Sequence, residues 1–210
     1  GPEIPCDSGT YNDQSGQSSK LDCKDCPTGT YNNQVGQGAV SSCQDCSTGT
    51  YSNQVGQSAQ ASCKSCSTGR YNDQTAMSVC KQCEAGTYND QNQQSTASSC
   101  KDCSTGRYQQ LEGKETCTGV CSLGRYSTGT TKSINENEAC TTCSAGNYCL
   151  GGAAGARPCS KGTYNDETGG NSVDSCKNCG VNKYNDKTGA TKSSDCKECG
   201  DDPATGEAMT

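Results

Sequence analysis

The chain has 210 residues, with 21 cysteines, 26 glycines, ten tyrosines, no histidine, tryptophan or phenylalanine, and a formal net charge of −6. Only 29% of it is hydrophobic, so the large apolar core of an ordinary chain of this length is excluded. Its scattered lysines form no basic patch for nucleic acid, and no run of about 20 apolar residues spans a membrane. A low apolar share alone reads as disorder. Regularly spaced cysteines, about one residue in ten, read instead as a secreted disulfide scaffold.

The cysteines set a period. Copies open at Cys6, Cys26, Cys46, Cys66, Cys83, Cys103, Cys121, Cys143, Cys159 and Cys179. A tyrosine follows each opening cysteine by five residues: Tyr11, Tyr31, Tyr51, Tyr71, Tyr88, Tyr108, Tyr126, Tyr148, Tyr164 and Tyr184. Two residues before each tyrosine stands a glycine, except in the tenth copy, where Asn182 takes its place. Glycine, then asparagine, best tolerates positive φ, so this position is expected to be a left-handed turn residue. The tyrosine ring is expected to lie on the disulfide and on the neighbouring copy.

After the tyrosine comes a polar run such as Asn32-Asn33-Gln34-Val35-Gly36-Gln37, rich in turn formers. Each copy therefore reads as two short extended segments around a turn. The copies at Cys66 and Cys103 are three residues shorter and close at Cys80 and Cys117, a cheap change in a surface loop. The linker Cys117–Cys121 is one residue longer than its counterparts and is expected to change the angle between neighbours. In order, the chain reads as an N-terminal segment 1–5, repeats 1–7 over 6–142, an irregular Gly/Ala-rich joint or contact segment 143–158, repeats 9–10 over 159–198, and a tail 199–210. The expected fold class is a small disulfide-rich, loop-rich repeat solenoid of hairpin-like units, an elongated rod without a large hydrophobic core.

Sequence alone leaves disulfide connectivity open. The simplest scheme pairs each opening cysteine with the closing one of its own copy: Cys6–Cys23, Cys26–Cys43, Cys46–Cys63, Cys66–Cys80, Cys83–Cys100, Cys103–Cys117, Cys121–Cys140, Cys159–Cys176 and Cys179–Cys196. Cys143 then pairs with the extra Cys149, and Cys199 is left free or for an intermolecular bond. The alternative is zinc, because Cys-x2-Cys, sixteen residues, Cys-x2-Cys is also zinc-ribbon spacing. Equal intervals, the lack of histidine and the odd Cys149 fit zinc poorly. Laid tail to head, the two ends leave sixteen residues between Cys199 and Cys6, matching the internal loops; one period of a longer array, head-to-tail stacking and coincidence all remain open. The sequence shows no signal peptide and reads as a mature form or a fragment, with Gly1-Pro2 either a cleavage scar or native.

The Cys-x-x-Gly-x-Tyr opening and the Cys-x2-Cys closing, over residues 6–199, resemble the ephrin-receptor-like cysteine-rich repeat and the first half-module of tumour necrosis factor receptor cysteine-rich domains. The resemblance implies an extracellular, elongated, disulfide-linked array. Arrays this uniform are similar to surface or matrix proteins of algae and other protists. The expected function is a structural extracellular protein, a subunit or segment of a filament, appendage or matrix that self-assembles head to tail or laterally. The alternative is a ligand-binding or adhesion ectodomain of a cell-surface receptor.

No catalytic constellation is visible, since a nucleophile lacks any histidine partner, and no cofactor is expected. Asn12-Asp13, Asn72-Asp73, Asn89-Asp90, Asn165-Asp166 and Asn185-Asp186 offer oxygens for calcium, yet each copy supplies fewer than the six to eight that ion takes. They read as turn formers. No Asn-Xaa-Ser/Thr sequon occurs; Asn147-Tyr148-Cys149 resembles the cysteine variant. Loop serines and threonines are candidate carriers of O-linked sugar, or simply solvated surface.

Overall fold

The computed structural model describes residues 4–16 and 19–200. The termini 1–3 and 201–210, with the expectations placed on them, lie outside the described residues.

Each copy is one small hairpin. In most copies a two-residue strand ending in the tyrosine pairs antiparallel with the two residues that separate a closing cysteine from the next opening one. Thr10–Tyr11 pairs with Lys24–Asp25 in the register Thr10↔Asp25 and Tyr11↔Lys24. The pattern recurs to Lys183–Tyr184 with Lys197–Glu198, and every sheet has two strands. Threonine and tyrosine suit a pleated, half-buried strand, but a lone two-stranded hairpin is marginal in water. Each loop but the eighth is therefore closed by a disulfide, with Cα–Cα distances such as 5.7 Å for Cys6–Cys23 and 5.6 Å for Cys46–Cys63. Full-length loops carry a 3-10 turn just before the closing cysteine, as at Val40–Ser42 and Val173–Ser175. The seventh copy has an α-turn, Glu136–Ala139, capped by the Asn135 side chain. The shortened loops 66–80 and 103–117 carry neither.

The glycine before each tyrosine is left-handed throughout, from Gly9 at φ 88° to Gly162 at 79°, and Asn182 adopts φ 61° in the tenth copy. A second left-handed position lies ten residues after most opening cysteines, and eleven after Cys121. Glycine holds it at Gly36, Gly56, Gly113, Gly169 and Gly189, but Ala76, Gln93 and Lys132 hold it elsewhere, at φ 59°, 58° and 55°.

Both positions serve the seam between consecutive copies. Gly9 N–H donates to Asn32 C=O at 2.7 Å, Asn12 N–H to Gln37 C=O at 2.9 Å, and Gly36 N–H to Cys6 C=O at 2.8 Å. The same three bonds join the next copies, through Gly29 to Ser52, Asn32 to Gln57 and Gly56 to Cys26. They persist near the other end through Gly162 to Asn185, Asn165 to Ala190 and Gly189 to Cys159. Backbone polar groups that a two-residue strand leaves unpaired are thus satisfied by the neighbouring copy.

The chain forms two compact units, Gly1–Lys101 with Leu111–Thr116, and Asp102–Gln110 with Cys117–Thr210. The division runs through the stretch 6–142, and segment 143–158 lies inside the second unit. Neither unit has an aliphatic core. Every leucine, isoleucine and valine of the chain is exposed, from Leu150 at 41% to Leu21 at 94%. The buried positions belong to cystines such as Cys26, Cys46, Cys66 and Cys103, and to polar side chains such as Asn32, Asn72 and Thr50.

Candidate functional site

The seam between copies concentrates most of the buried polar chemistry. The asparagine directly after the tyrosine is its centre. Asn32, Asn72, Asn89, Asn165 and Asn185 are all buried. Their Nδ2 groups donate to the backbone of the preceding copy: Asn32 to Thr10 C=O at 3.3 Å, Asn72 to Thr50 at 2.7 Å, Asn89 to Arg70 at 3.0 Å, Asn165 to Asn147 at 2.8 Å and Asn185 to Thr163 at 3.2 Å. In four of these, Oδ1 also accepts a backbone N–H two residues on, from Gln34, Gln91, Glu167 and Lys187. Turn formation, read from the sequence, is half of what this residue does. The other half, a side-chain bridge into the previous copy, has the same letter and was not separable from it.

Replacing Asn165 by alanine is expected to cost about 2 kcal/mol of local stability, because Asn147 C=O and Glu167 N–H both lose a buried partner. Amide exchange at Gly146 and Asn165 should then accelerate roughly thirty-fold, while exposed Asp166→Ala should barely move either. Equal effects of the two substitutions would remove the bridging role.

Where an aspartate follows the tyrosine–asparagine pair, it faces outward and meets the lysine opposite the tyrosine. Asp13 pairs with Lys24 at 2.8 Å, Asp73 with Lys81 at 2.6 Å, Asp90 with Lys101 at 2.7 Å and Asp166 with Lys177 at 2.7 Å. A hydrogen bond from each lysine holds these four carboxyls below the usual aspartate range and raises the lysine in turn. Asp186 is lowered first by its own backbone N–H, then by the charge of Lys197 at 3.5 Å. Pairs this exposed add little stability. Among the described residues, no group of three or more Cys, Asp or Glu is placed to hold a metal ion.

The tyrosines line the same hairpins. Tyr108 packs on Cys121, Ala139 and Cys140 of the next copy, so there the ring does lie on a neighbouring disulfide. Its partner across the strands is Gly119, whose missing side chain leaves room for the ring. Tyr88 and Tyr184 instead carry Lys101 and Lys197 at 5.7 and 5.8 Å from the ring centre, within cation–π reach. Tyr31 is buried, while Tyr11, Tyr51, Tyr71, Tyr126, Tyr148 and Tyr164 are half-buried.

The structure joins Cys6–Cys23, Cys26–Cys43, Cys46–Cys63, Cys66–Cys80, Cys83–Cys100, Cys103–Cys117, Cys121–Cys140, Cys143–Cys149, Cys159–Cys176 and Cys179–Cys196. Cys199 is exposed and carries a free thiol; its N–H donates to Asn182 C=O at 2.7 Å, as other opening cysteines bond their preceding turn.

In the eighth copy Cys149 occupies the asparagine position of the seam. Its C=O accepts from Gly124 and its N–H donates to Gly170, both at 2.9 Å. The usual closing position falls on Ala156. The disulfide therefore closes only six residues, and 150–158 lie outside every disulfide loop, against two or three residues between other copies. Ala153–Ala156 make no backbone hydrogen bond to any described residue. An elastase-type protease, which cuts after small side chains, is expected to divide the unreduced chain here into two fragments on a denaturing gel. Cuts in other loops should leave a single band until reductant is added. A single unreduced band after cleavage at Ala153–Ala156 would contradict the pairing of Cys143 with Cys149.

Comparison with known protein families and with curated proteins found no match. The residues themselves make the chain a cysteine-rich repeat protein of consecutive disulfide-closed hairpins. Among the described residues, no helix is long and apolar enough to cross a membrane.

Proposed function

We propose that this is a structural extracellular protein, a subunit or segment of a filament, appendage or matrix. The observation that carries the reading is the seam. Within each compact unit these backbone hydrogen bonds recur at successive seams, and in each copy after the first that has an asparagine after its tyrosine, that asparagine is buried. Repetition of one interface makes a stack whose stiffness grows copy by copy, and whose ends call for caps or partners. Ten disulfides belong to an oxidising compartment. The resemblance of the repeat to ephrin-receptor-like arrays supports the same placement. Assembly by ends or flanks, and O-linked sugar on exposed Ser and Thr, are parts of this proposal.

Negative-stain electron microscopy of unreduced protein tests it. Filaments of regular axial repeat are expected, dispersing on reduction if bonds through Cys199 join the molecules. Discrete particles at every concentration would move the reading to a ligand-binding ectodomain.

A further inference from the structure

A groove of about 390 Å3 opens between the third and fourth copies, in the first compact unit. That volume lies within the range of small-molecule sites. Its walls are Tyr51 and Ser65 on one side, and Ser67, Arg70, Ser78 and Val79 on the other. The fourth copy has the shortened loop, with a sequence separation of 14 between its cysteines rather than 17. Ser78 and Val79 stand just before Cys80, where full-length loops carry their 3-10 turn. The lost turn leaves the groove uncovered.

Arg70 distinguishes it. Two other arginines occupy the corresponding position in their copies, and each is tied to its own closing cysteine. Arg107 donates to Cys117 C=O at 3.1 Å, and Arg125 donates to Cys140 C=O at 2.8 Å. The guanidinium of Arg70 makes no such bond and has no hydrogen-bond or ion-pair partner among the described residues. No carboxylate lines the groove, although acids outnumber bases in the chain. Asn53 completes the wall, and Lys64 donates to its Oδ1 at 3.3 Å, bringing a second cation near.

We propose that this groove binds an acidic sugar. A uronic acid offers a carboxylate for the free fork of Arg70, an apolar ring face for Tyr51 and Val79, and hydroxyls for the three serines and the Asn53 amide. Serine hydroxyls around one aromatic ring suit a polyol better than an aliphatic peptide side chain. The proposal stands apart from assembly, because a dispersed chain is enough to bind.

The test is a titration of the full, oxidised chain, followed by backbone NMR, with a glucuronic-acid tetramer, a neutral glucose tetramer and an Asp/Glu tetrapeptide. The acidic sugar is expected to shift Tyr51, Ser67 and Val79 and to bind more tightly than either comparator. Arg70→Gln should weaken it at least about tenfold; Val79→Glu, at an exposed site, should abolish it. Arg157→Gln, at an exposed arginine of the second unit, should leave it unchanged. Equal binding of the neutral sugar, binding by the peptide as tight as that of the sugar, or an unaltered Arg70→Gln affinity would each overturn the proposal.

Discussion

Full reduction is expected to unfold the chain completely at room temperature, in the absence of any denaturant. Most folded domains survive loss of their disulfides in part because an apolar core remains. Here no leucine, isoleucine or valine is buried. The interior is mostly cystine sulfur and small polar side chains such as asparagine, threonine and serine, with little apolar area beyond Tyr31, Ala139 and Ala190, and once the sulfur links are cut the polar groups are as well satisfied by water. In the chain-entropy account each loop of fourteen to nineteen residues contributes about 3 kcal/mol, and the six-residue loop of Cys143–Cys149 about 2 kcal/mol. Amide dispersion in an NMR spectrum, recorded with and without excess reductant, reads the outcome. Dispersed amides in the reduced chain would mean that the seam holds the copies without the disulfides. A finer version compares Cys46→Ser/Cys63→Ser with Cys143→Ser/Cys149→Ser. The first pair should cost more, by about 1 kcal/mol, because it releases the longer loop.

Gly124→Ala is expected to destabilise the second unit by about 3 kcal/mol, and Gly162→Ala by only about 1 kcal/mol. Both glycines sit at the same position of the copy, with φ 81° and 79°. Both donate to the next copy, to Cys149 C=O and to Asn185 C=O. Their surroundings differ. A β-carbon on Gly124 would stand 2.5 Å from the carbonyl oxygen of Gly169, which belongs to the next copy but one. At Gly162 nothing comes within 4 Å. Alanine at Gly162 therefore meets only the left-handed backbone, while alanine at Gly124 also forces two copies apart. Amide exchange at Cys149 and Gly169 should accelerate on the order of a hundred-fold in the first variant and about five-fold in the second. Equal effects would show that backbone conformation alone requires these glycines.

The close approach at Gly124 recurs. Gly49 would place a β-carbon 2.5 Å from Gln93 C=O, and Gly106 one 2.6 Å from Gly152 C=O, again two copies on. A single glycine letter thus carries two constraints, of which positive φ was readable and the contact was not. The second left-handed position is the converse case. Ala76, Gln93 and Lys132 give no sign of it, because the seam imposes that conformation through a backbone bond to the preceding opening cysteine.

Cysteine spacing, glycine before tyrosine and poverty in aliphatics determine by themselves that this is a loop-rich, cysteine-rich repeat of hairpin-like units, since left-handed turns and short loops act within one copy. The tertiary structure alone decides what each copy does to its neighbours. It buries the asparagine after the tyrosine, puts Cys149 in that asparagine's place, and brings a carbonyl from two copies away onto a glycine. These outcomes rest on backbone groups, which every residue carries alike, and so they leave little mark in the sequence.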